Sequence, residues 1–90
     1  MALKWPNKDP DEVLDYQIDW TARLATDTIT ASTWIVPASI TKDSDSFTGT
    51  ATTIWLSAGT NGTSLKITNR IVTAKGRTME ESVNIRITNT

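Results

Sequence analysis

Cysteine and histidine are both absent from this 90-residue chain. Without cysteine there is no disulfide framework and no thiolate site, so the fold is held by its core alone. Without histidine as well, Ser-His-Asp and Cys-His nucleophile systems and the ordinary zinc sites drop out together. Long apolar runs are missing too. Nothing approaches the ~18 consecutive apolar residues of a membrane helix, and Met1-Ala2-Leu3-Lys4-Trp5-Pro6 lacks the apolar centre of a secretory signal, so the chain is expected to fold where it is made. Nor is there an excess of either charge. Nine Lys and Arg against ten Asp and Glu leave a net charge of -1, which offers no electrostatic footprint for nucleic acid.

What the chain has in abundance is threonine, 17 residues, with seven serines beside it. Threonine is β-branched and suits a pleated, half-solvated surface, so the composition is that of strands. At this length the chain has room for one domain with one core.

Alternation along the chain supports the same conclusion. Residues 1–12, with Pro6 and Pro10 among alternating charges, have no period and read as an extended N-terminal arm, leaving residues 13–90 as the folded domain. From Leu14, the residues Leu14, Tyr16, Ile18, Trp20, Ala22 and Leu24 fall on even positions with polar residues mostly between them, which predicts a half-buried strand. A helix is excluded near its start because Tyr16 and Ile18 would stand about 200° apart.

Between Thr28 and Pro37 the apolar phase switches from odd (Ile29, Ala31) to even (Trp34, Val36), as a bulge would produce, and Pro37 should end that strand. Ser39 to Phe47 reads as a polar loop between two core anchors, Ile40 and Phe47. A strand over 51–57 is buried partly on both faces, and Asn61-Gly62 supplies turn chemistry. Leu65, Ile67, Asn69, Ile71 and Thr73 share one face of a long strand that turns at Lys75-Gly76. It returns with Val83, Ile85 and Ile87 inward, making a hairpin. Six or seven short antiparallel strands predict an all-β, immunoglobulin-like Greek-key β-sandwich behind the arm, with a small barrel as the alternative.

Catalysis has little to work with. The acids cluster at Asp9, Asp11, Glu12, Asp15 and Asp19, at Asp43 and Asp45, and at Glu80 and Glu81, all in expected loops or on outward faces, so they read as solvated charge. Asp43-Ser44-Asp45-Ser46 has the alternating oxygens of a calcium loop but neither its glycine nor its distal glutamate. Asn61-Gly62-Thr63 matches a glycosylation acceptor, and turn formation explains it without one. No enzyme and no cofactor is expected.

Four tryptophans stand out, because Trp is favoured at contact hot spots. Trp20 belongs to an inward face, and Trp34 and Trp55 to the core or a sheet edge. Trp5 sits in the Pro-flanked arm, where it either folds back to plug the domain or docks on a neighbour. Lys4, Trp5, Pro6 and Trp34 are the candidate partner-binding residues. A sugar-binding module is a further alternative for an all-β domain with exposed aromatics.

Three segments carry a resemblance. They are Asp9-Pro10-Asp11-Glu12-Val13-Leu14-Asp15-Tyr16-Gln17-Ile18-Asp19-Trp20, Thr52-Thr53-Ile54-Trp55-Leu56-Ser57-Ala58-Gly59-Thr60, and the stretch from Thr68-Asn69-Arg70 to Gly76-Arg77-Thr78. Over residues 4–88 the chain resembles small tailed-phage and prophage proteins of the fiber-tail adaptor family. It departs from their pattern at Leu65, where an aromatic is frequent, and at Ala58, where glycine is. The resemblance implies a non-catalytic virion structural protein of the tail, assembled in the bacterial host cytoplasm. Its partners would be tail and receptor-binding fiber subunits and copies of itself in a symmetric assembly, with no nucleic acid or membrane partner. A capsid decoration or head-completion protein is the alternative within the virion.

Overall fold

The computed structural model describes residues 3–88. The element order is β1 (Leu3–Lys4), β2 (Leu14–Asp19), α1 (Thr21–Leu24), β3 (Ile29–Ile35), β4 (Ile40–Phe47), β5 (Ala51–Ala58), β6 (Thr63–Thr73) and β7 (Thr78–Ile87). One sheet has the order β1-β7-β6-β3 and the other β2-β5-β4. All pairings are antiparallel except β1 with β7. The chain crosses between sheets after β1, β2, β3 and β5, and makes hairpins at β4–β5 and β6–β7.

The core lies between the sheets. Tyr16, Ile18, Ile54 and Leu56 from one sheet meet Ile29, Trp34, Ile67, Ile71, Val83, Ile85 and Ile87 from the other. These are the alternating positions of their strands, because successive side chains of a strand point to opposite faces. The bulge expected in β3 is present as a register shift between Ile29 and Ala31, and β3 ends before Pro37.

Two expectations give way. The strand from Leu14 stops at Asp19, and Thr21–Leu24 form a single helical turn. The reason is local: Asp19 Oδ1 accepts from the Thr21 N–H at 2.9 Å and the Thr21 hydroxyl at 2.6 Å, a side-chain alternative to ladder pairing. Leu24 is still buried, but through the turn. The second is the polar loop over 39–47, which is the edge strand β4. Ile40 is buried, whereas Phe47 is exposed, as is every residue from Thr41 to Thr50. Charged and hydroxyl side chains along an unpaired edge, with a bulge between Lys42 and Ser44, are what keep an open edge from pairing with other chains.

Candidate docking faces

Residues 3–8 lie along β7. Trp5 N donates to Asn84 O at 3.0 Å, Lys8 N to Arg86 O at 2.9 Å, and Thr88 N to Lys8 O at 2.9 Å. This ladder fixes Trp5 over the gap between the sheets, where its indole stacks on Tyr16 of β2 (centroids 4.7 Å, planes 20° apart) and meets Trp34 of β3 at 6.1 Å. Of the two places open to Trp5, the structure shows the fold-back. Trp5 and Trp34 are both interior, at 8% and 7% exposure, and Pro6 is exposed. The side chain of Lys4 lies outside the described residues.

Lys8, which sequence reasoning passed over, is fully enclosed. Its ammonium donates to the carbonyls of Ala58 (2.7 Å) and Asp9 (2.9 Å), tying the lead-in to the β5–β6 turn. Enclosure lowers its pKa from the usual lysine value, against the opposing pull of Glu12, Asp9, Asp11 and Asp43. Ala58 presents that carbonyl from a left-handed backbone, φ 63, and Gly59 follows at φ 104.

At the other end a polar cluster joins the sheets. Trp20 Nε1 donates to Asn69 Oδ1 (3.1 Å) and Thr52 Oγ1 (3.2 Å), and Thr52 Oγ1 donates to Asn69 Oδ1 (2.7 Å). Asn69 Nδ2 donates to Ser32 Oγ (3.0 Å) and Thr33 O (3.1 Å). Asn69 thus sits on a core face with both ends of its amide engaged, as a buried amide must. Above it Arg23 lies over the Trp20 ring, 5.3 Å from the centroid, and bonds Glu81 at 2.6 Å. Trp20 and Asn69, one from each of two resembling segments, therefore face the interior.

With these residues turned inward, the outer faces of the two sheets form part of the exposed surface, beside the β4 edge and the turns. On the β2-β5-β4 sheet, residues opposite one another across the ladder share a face. Asp15, Gln17 and Asp19 of β2, Thr53, Trp55 and Ser57 of β5, and Ser44 and Ser46 of β4 point outward. Trp55 stands on the central strand between Asp15 and Ser44 and is 41% exposed. The core or a sheet edge, expected for Trp55 from the sequence, is not where it stands: Ile54 and Leu56 on either side take the inward face and leave it the outer one, on the central strand. Asp43 bonds Ser57 Oγ at 2.9 Å on the same face.

The β1-β7-β6-β3 sheet presents Lys66, Thr68, Arg70 and Val72 of β6, Glu80, Ser82, Asn84 and Arg86 of β7, and Ala31, Thr33 and Ile35 of β3. Arg70 pairs with Glu80, its Nε at 2.6 Å from Oε2, whereas neither Lys66 nor Arg86 forms an ion pair among the described residues. Ile35 is 50% exposed.

Compared with known families, residues 8–86 match the model of the podophage GP4 fiber-tail adaptor protein gp77. The chain belongs to this family. The match runs from Lys8 through β7, so it takes in both outer faces. Membership gives this fiber-tail adaptor family member a structural role in a phage tail, and with it a place among virion components. Among curated protein sequences none matches the chain.

Proposed function

We propose that this adaptor-family protein joins tail components to receptor-binding fibers through protein–protein interfaces, without catalysis. The observation that carries the reading is the family match over residues 8–86, which spans β2 to β6 and nearly all of β7 and therefore both outward faces. The strand order supports an immunoglobulin-like Greek key as the framework, with the β2-β5-β4 and β7-β6-β3 sets as its two sheets. Trp5 and Trp34 then serve by holding the lead-in against the domain, and the exposed Pro6 and Trp55 are left for a neighbour in the assembly to cover. A solvent-facing Trp within a polar surround is the side chain that gains most from being covered.

The test is biochemical. Mass spectrometry of purified virions should find the chain, and dissociated tails should retain it together with a fiber or tail subunit. Its absence from virions, or its recovery with tail-less heads, would overturn the reading. Retention of a glycan by the isolated domain, lost in Trp55→Ala, would move it to a host-surface role.

A further inference from the structure

The two outer faces carry opposite charge. Outward on the β2-β5-β4 sheet stand Asp15, Asp19 and Asp43, and no Lys or Arg of its strands shares that side, because Lys42 lies opposite the inward Leu56 and pairs with Asp45. Outward on the other sheet stand Lys66, Arg70 and Arg86, with Glu80 as the one carboxylate at an outward position of β3, β6 and β7, since Glu81 lies opposite the inward Asn69. A net charge of -1 for the whole chain conceals this separation. Each face also places exposed apolar surface among its charges: Trp55 on the acidic side, Ile35 and Val72 on the basic side.

We infer that the partner of the acidic, Trp55-bearing face is the basic, Ile35-bearing face of a second copy of the same chain. Charge complementarity selects this arrangement over the two alternatives. Acidic face on acidic face, or basic on basic, sets like charges across a closing interface, which is repulsive and costs specificity to the wrong pairing. Acidic on basic brings Asp15 and Asp43 toward Lys66 and Arg86, the two cations among the named residues of that face without an ion pair among the described residues. It covers Trp55 and Ile35 in the same step. Such a contact is heterologous: every copy keeps one face of each kind, so copies add head to tail, in a ring if the rotation closes. The inference deepens the adaptor reading, because repeated copies let weak contacts with a tail or fiber add up.

The test uses the purified full chain in sedimentation velocity and native mass spectrometry. Association is expected to rise with protein concentration and to weaken at least about tenfold between low and high salt, since exposed charges are screened within about 10 Å at 0.1 M. Two variants reverse one face each: Asp15→Lys with Asp43→Lys, and Lys66→Glu with Arg86→Glu. Each alone should be monomeric. Mixed in equal amounts they should associate again, because each supplies the face the other has lost. Circular dichroism confirms that the variants are folded. Should either variant fail to fold, Trp55→Ala and salt titration of the unaltered chain take their place. A chain that stays monomeric at low salt and high concentration overturns the inference, as does association of either variant by itself or a mixture that does not recover. Presence of the chain in virions is a separate measurement, so failure here leaves the adaptor reading standing, and absence from virions leaves self-association standing.

Discussion

Trp20, just past the end of β2, and Asn69 of β6 are joined across the interior, indole N–H to amide oxygen at 3.1 Å and 49 residues apart in sequence. The bond is one of five that Asn69 shares with Trp20, Thr52, Ser32 and Thr33, counting the Thr52–Trp20 contact that closes the triangle. Polar groups in such a cluster stabilise it only when all are satisfied, and removal of one member leaves the others unpaired in a low-dielectric interior. Asn69→Ala strips two donors and two acceptors of a partner and leaves a void. A loss of about 2–4 kcal/mol is expected in urea unfolding. A loss under 1 kcal/mol would mean that the cluster is dispensable.

Trp5 is expected to behave as a core residue despite its place in a Pro-flanked lead-in. It stacks on Tyr16 and abuts Trp34, so Trp5→Ala should cost about 3–5 kcal/mol and abolish the near-ultraviolet circular dichroism of the aromatic cluster. Truncation of residues 1–7 should do the same. Unchanged stability would return Trp5 to the surface.

The Tyr16 hydroxyl is buried in that cluster with no hydrogen-bond partner among the described residues. Tyr16→Phe removes the unmet group and keeps the stacked ring, so stability at neutral pH should hold or rise by about 1 kcal/mol. Burial, then the nearby charges of Glu12 and Asp15, push the phenol up to about 12 from 10.0. Below pH 10 both folded and unfolded chains keep the proton. From pH 10 upward the unfolded chain releases it first, so the stabilisation present below that pH is lost as pH rises through the folded value. Denaturant midpoints of wild type and Tyr16→Phe measured from pH 8 to 11 should diverge above pH 10, with the variant falling less.

Ala58 occupies a conformation that favours glycine, at φ 63. Ala58→Gly relieves the strain of its Cβ and is expected to raise stability by about 1 kcal/mol or leave it level, the gain being offset by a freer unfolded chain. Gly59 is the reverse case. At φ 104 its added Cβ would come within 3.0 Å of the Ile87 side chain, so Gly59→Ala should lower the melting temperature. A scan of both variants beside wild type decides the pair.

Much of the fold was legible. Leu14 to Ile18, Ile67 to Thr73 and Val83 to Ile87 alternate cleanly because each strand has one wet and one buried face, and such a face writes its period into the sequence. Where that condition fails, the reading failed. Strand β4 has only Ile40 buried, so it carries no alternation and looked like a loop. Past Asp19 the even-numbered pattern continued through Ala22 and Leu24, yet one carboxylate bonded to Thr21 turned the chain into α1.

The residues of the candidate site divide in the same way. Sequence by itself determined the class of protein: strand composition, no cysteine or histidine chemistry, and segments resembling an adaptor family. It could not decide which aromatics face water, because inside and outside for Trp5 depend on a ladder with β7 that lies almost 80 residues away. The tertiary structure alone placed Trp5 and Trp34 inward and Trp55 outward. It also sorted the evenly mixed charges of the chain onto two opposed faces, since a residue's face is set by which strand it pairs with and in what register.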